Sequence, residues 1–232
     1  MSLSFFYSRH QKIALYVAAC LIFFACSSNL RATESESPAT EKIASISNGR
    51  YRISGGLTLE TYSEFEAALK RHPEIQALEF IDSEGSARNA DSIVNLFQLK
   101  IDELHLTTYA KGYCVSTCGF IFLMGHKRVL LKGSEDKPTI IKLHPIFNSQ
   151  LNEFETFSTD KYIQEISSRS GGKISKEYLK KMYLTTDRRG GLIIKREAGA
   201  NGKHIFFQAK YGDQLDALSS QSLAELGLAT ED

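Results

Sequence analysis

Between residues 50 and 145, short β-rich apolar runs alternate with longer runs whose apolar residues recur at helical spacing. A chain written this way has few options. Each strand that follows a helical crossover lies parallel to the one before it, and the helices must cover the faces of the sheet. The expected strands are 50–53, 76–81, 102–107, 113–115, 127–131 and 139–143, and the expected helices are 59–71, 90–99 and 117–124. In the first helix Leu59, Tyr62, Phe65, Ala68 and Leu69 form one apolar face, and Pro73 ends it. Residues 117–124 (TCGFIFLM) are apolar on every side, the pattern of a helix enclosed by the core. Farther on, 151–169, 175–183 and 218–228 read as helices, and 191–195 and 204–208 as short strands. The fold class is therefore α/β, with a largely parallel sheet in a single domain at 48–232.

The N-terminal end has a different character. Arg9 and Lys12 precede thirteen apolar residues at 13–25 (IALYVAACLIFFA). That run is short for a bilayer span and suits the apolar region of a secretory signal. Residues 1–26 are expected to direct export, with two processing readings open. ACSS resembles a bacterial lipoprotein site that would acylate Cys26, and NLRA offers cleavage of a soluble form after Ala32. The first reading puts the protein in a bacterial periplasm, touching a membrane only through its N-terminal lipid. Residues 27–47 are polar and form a linker. Removing Arg9 and Lys12 from 28 basic residues leaves 26 against 27 acidic ones, a balance that favours neither nucleic acid nor an anionic membrane.

The chemistry concentrates at 113–125 (YCVSTCGFIFLMG), where Ser116 stands on a strand-to-helix turn between Cys114 and Cys118. A serine on such a turn is held outward, and His144, at the end of a neighbouring strand (IIKLHP), is a suitable base. Cysteines at i and i+4 bring their α-carbons to roughly 6 Å, so Cys114 and Cys118 are expected to bond and stiffen the turn. Their spacing to His126 and His144 matches no common zinc pattern, so neither metal nor cofactor is expected. His72, His105 and His204 read as surface or structural residues.

Three elements follow in order: a strand ending in an SEGS turn at 83–86, CVSTC at 114–118 with its buried helix ending at Gly125, and LHP ending at Pro145. This arrangement resembles the Clp protease proteolytic subunit and its relatives in the Clp/crotonase superfamily, most closely a periplasmic branch, over about residues 51–147. The resemblance implies a ββα spiral and a serine hydrolase acting on peptides, with Ser116 as nucleophile and His144 as general base. It also implies an oxyanion hole from the N–H of Thr117 and that of Gly85 or Ser86, and a homo-oligomer as in its relatives. The chain departs from the family at Glu84 and Ser86, which replace a proline and a glycine, and in the long polar loop at 132–138. The triad aspartate has no clear counterpart either, since Glu177 alone lies in the matching region and Asp187 lies off the pattern. Two expectations follow: a peptidase with an incomplete triad, or an inactive binding or scaffolding protein on the same fold. A third, acyl-thioester chemistry, ranks last for an exported chain.

Overall fold

The computed structural model describes residues 45–86, 88–148, 151, 153–199 and 201–232. Residues 1–26, expected to direct export and including Cys26, and most of the stretch expected to be a linker lie outside the described residues. The first six strands are β1 (Ser45–Ser47), β2 (Arg50–Gly56), β3 (Ala77–Gly85), β4 (Thr107–Val115), β5 (Arg128–Leu131) and β6 (Ile140–Leu143). They are followed by β7 (Phe147–Asn148), β8 (Glu153–Phe154), β9 (Gly191–Lys195), β10 (Ile205–Gln208), β11 (Asp216–Ser219) and β12 (Ala229–Glu231). The helices are α1 (Leu59–Arg71), α2 (Ala90–Leu104), α3 (Thr117–Met124), α4 (Thr156–Arg169) and α5 (Lys176–Lys180), with a 3-10 turn at Lys181–Leu184.

β2, β3 and β4 pair in parallel, as strands joined by helical crossovers must. β4 then forks. Its first half, Thr108–Ala110, pairs with β5, and its second half, Tyr113–Val115, pairs with β6. β5 continues in parallel to β12, whereas β6 leads through antiparallel pairs into β9, β10 and β11. The α/β class with a parallel centre expected for a Clp/crotonase-like layout is present, with an antiparallel flank added.

α3 sits at the fork and none of its residues reaches solvent appreciably. It lies close on β6: a methyl built on Gly119 would stand 2.8 Å from Leu143 Cδ2 and 3.0 Å from the Lys142 carbonyl. That approach fixes the start of α3 beside the end of β6. α1, capped reciprocally by Thr58 and Thr61, stacks Phe65 on Phe97 of α2 at 5.6 Å. α4 is tied down by Tyr162, whose hydroxyl donates to Asp91, and by Arg169, which forks onto Asp102 at 2.6 and 2.7 Å.

Several expectations are corrected. Residues 102–104 continue α2, because Ile93, Val94, Phe97 and Ile101 hold one buried helical face. The strand that follows starts at Thr107 and is continuous to Val115, so it absorbs the separate strand expected at 113–115. SEGS is not a free turn: β3 runs through it to Gly85, with irregular register at Asp82 and Ser83. α4 starts at Thr156, preceded by the small β7–β8 hairpin, in which Phe147 meets Phe154 edge-on. Phe157, on the first turn of α4, is 88% exposed. No helix forms at 218–228. Ser222 and Glu225 cap a single turn, and Gly227, at φ 72°, ends it.

Candidate active site

A single residue, Ser116, joins the last residue of β4 to the first of α3. Reversing the chain in one residue puts Ser116 at φ 60°, ψ −126°, a region that glycine enters freely and other residues rarely. Three contacts hold it there. The Cys114–Cys118 disulfide closes the turn with 5.2 Å between α-carbons, as expected. Ser116 N–H donates to the Lys142 carbonyl of β6 at 2.8 Å, and Phe120 N–H donates to the Ser116 carbonyl at 3.2 Å. Gly85 closes on the turn from β3. A methyl built on Gly85, itself at φ 83°, would lie 2.5 Å from the Val115 carbonyl oxygen and 2.9 Å from the Thr117 nitrogen.

That proximity defines a small space in front of the Thr117 amide. As the first residue of α3, Thr117 has an N–H with no intrahelical acceptor, at the positive end of the helix dipole. Its own hydroxyl is buried and unpartnered among the described residues. Gly85 and Ser86 line the same cleft as Ser116. The Ser86 hydroxyl is engaged by the Arg88 carbonyl, so only its backbone is on offer.

His144 reaches this cleft one residue beyond β6. Its Nδ1–H donates to the Pro145 carbonyl at 3.0 Å, which leaves Nε2 as the acceptor. Burial pushes its pKa below the usual 6.5. The Pro145 bond opposes that shift, and the charge of Lys142 adds to it. The ring is therefore mostly neutral at pH 7, with Nε2 unprotonated. Ser116 and His144 line one cleft of about 820 Å³ but are not hydrogen-bonded to each other, a looseness common before substrate binds.

Neither acid considered for the triad meets His144. Glu177 is exposed on the first turn of α5. Asp187 accepts N–H bonds from Arg189, Gly190 and Tyr211 and so folds its own loop. The His144 ring is instead held by the Pro145 carbonyl, and a backbone acceptor leaves no mark in a sequence. Two further features also escaped sequence reading. Phe147 and Arg188 face it together, with the guanidinium 3.6 Å above the ring. On β6, Lys142 is buried and donates to Gln208 of β10 at 2.9 Å. Burial lowers its pKa, partly countered by Asp187. Among the described residues no cluster of ligands suits a metal ion, and both domain cysteines are spent in the disulfide.

No protein-family model and no curated protein matches this chain. Among solved structures it is similar to the 1510-N membrane-bound stomatin-specific protease, in a serine-to-alanine form, at 18% identity and a TM-score of 0.40. That match covers 54% of this chain and 66% of the other. A lysine-to-alanine form of the same protease, in complex with a substrate peptide, is similar at 14% identity and a TM-score of 0.44, over 78% of this chain and 88% of that one. The ClpP protease catalytic domain from Plasmodium falciparum is similar at 18% identity and a TM-score of 0.41, over 59% and 72%.

Proposed function

We propose that the chain is an exported serine hydrolase of the Clp-like kind, acting on peptides. The observation that carries this reading is the backbone of Ser116. A non-glycine residue is held at φ 60°, ψ −126° by a disulfide and by a hydrogen bond to β6, the strand that leads into His144. Such strain persists where its surroundings over-determine it, and it gathers at reactive sites. The disulfide also favours an oxidising compartment, in keeping with the N-terminal signal.

In this reading Ser116 Oγ attacks the peptide carbonyl carbon while His144 Nε2 takes the hydroxyl proton. The carbonyl oxygen, now negative, turns to Thr117 N–H, with a second donor from the backbone at Gly85 or Ser86. Collapse breaks the C–N bond, and the departing amine takes the proton from His144. Water, deprotonated by the same ring, then hydrolyses the acyl-serine and restores Ser116.

A fluorophosphonate probe tests the assignment. Wild type becomes labelled, Ser116→Ala does not, and His144→Gln labels at least a hundredfold more slowly, as expected for loss of a general base. Labelling that persists in Ser116→Ala would sink the proposal. One observation favours a second reading, a peptide-binding protein without turnover: among the described residues no carboxylate bonds His144. Under that reading wild type stays unlabelled and still binds peptide in the cleft.

A further inference from the structure

Arg128 opens β5 opposite Thr108, eight residues before Ser116 on the β4 side of the pair. At strand rise that is about 26 Å from the cleft. Its side chain is 7% exposed. Nε and Nη1 are buried, and among the described residues they have no hydrogen-bond partner and no carboxylate. The chain treats its other buried ionisable side chains differently. Glu79 meets Arg50 and Arg52, Lys142 meets Gln208, and the part-buried Arg169 is held by Asp102 and the Met124 carbonyl. A buried guanidinium without a counter-charge is unfavourable, and such groups are retained where something completes them.

The surroundings of Arg128 state what is missing. Burial lowers its proton affinity, and the charge that adds to this effect is another cation, Arg169. Lys173 approaches from the loop after α4. A methyl built on Gly227 would stand 3.3 Å from both Arg128 Nη2 and Lys173 Cδ, so the two basic side chains close on one turn. Lys173 also lines an open depression with Ser175, Tyr178 and Gln221, so the solvent side of this turn is open next to Lys173. Glu225 borders the same depression but turns its carboxylate onto the Ser222 N–H and hydroxyl at 2.7 and 2.9 Å.

We propose that Arg128 and Lys173, closing around the Gly227 turn, form a binding site for a small oxyanion of the carboxylate or phosphate class, separate from the Ser116 cleft. The planar donors of Arg128 match two oxygens of such an anion, and Lys173 adds a movable charge at the rim.

The test uses the full chain and follows thermal unfolding in inorganic phosphate, in acetate and in chloride at matched ionic strength. Wild type is expected to gain a saturable rise in unfolding midpoint with phosphate or acetate over chloride, and the better anion names the class. Lys173→Ala, an exposed substitution that leaves the fold intact, should weaken that anion about tenfold, the usual size for one lost charge-assisted bond. Arg128→Met should abolish the response, and without anion it should unfold no earlier than wild type, because an unpaired buried charge is gone. A wild type indifferent to both anions overturns the proposal. So does a response that both variants keep in full. If Arg128→Met fails to fold, the Lys173→Ala affinity alone decides.

Discussion

If the Ser116 backbone is strained, replacing Ser116 with glycine must stabilise the protein relative to replacing it with alanine. Both variants lack the hydroxyl, so its loss cancels in the comparison. What remains is the cost of a Cβ at φ 60°, ψ −126°, about 1–3 kcal/mol for a residue in a sparsely populated region. Against it stands the extra freedom glycine brings to the unfolded chain, about 0.4–1 kcal/mol. That term falls at its low end here, because the Cys114–Cys118 bond closes the loop in both states. The expected net effect is about 1–2 kcal/mol in favour of Ser116→Gly. For a domain of this length each kcal/mol moves the unfolding midpoint by about 2–4 °C. Urea unfolding of the oxidised protein reads the difference directly, provided both variants share one slope. Should Ser116→Gly prove no more stable than Ser116→Ala, the backbone stores no strain, and the step from that strain to a reactive serine fails.

Two other outcomes follow from the same geometry. Gly85→Ala puts a methyl 2.5 Å from the Val115 carbonyl and 2.9 Å from the Thr117 nitrogen, so it should cost about 2–4 kcal/mol and slow probe labelling of Ser116 about a hundredfold. Gly55→Ala is the control: it shares a positive φ, 72°, but meets nothing within 4 Å, so its loss should stay near 1–2 kcal/mol with labelling intact. For pH, the neutral His144 ring is the base and its folded pKa lies below 6.5, so the acid limb of the labelling rate should fall below pH 6.5. The unfolded ring takes its proton first as pH drops through 6.5, so His144 contributes stability above that value and loses it below the folded pKa. Labelling that titrates at or above pH 6.5, or an equal acid loss of stability in His144→Gln, would contradict this assignment.

How much could be read in advance depended on how local the cause was. α1 and α3 are bounded as their apolar spacing and flanking residues indicate, and Ser116, His144 and Gly85 meet in one cleft. These rest on neighbours within a turn or a strand. The failures have longer reach. The run 102–107 looks extended on its own, yet Ile101 completes the buried face begun by Ile93 and carries the helix on to Leu104. SEGS has turn-forming residues but is held between β2 and β4, where pairing on both sides outweighs turn chemistry. The capping pair Ser222 and Glu225 announces a helix that Gly227 stops after one turn. In the cleft, the Pro145 carbonyl behind His144 and the Phe147–Arg188 pair depend on backbone placement and on a loop forty residues away, so no spacing rule reaches them.

Cys114 and Cys118 are both fully sealed from solvent. With α3 seated in the core, an oxidant or reductant reaches the sulfurs only when that helix opens away from the sheet, so the bond forms most readily as the helix docks. Oxidation and assembly of the Ser116 turn are thereby coupled in the folding sequence. A chain that collapses under reducing conditions must open at α3 before the bond can form. The history of the chain's maturation is then written into the geometry of its serine.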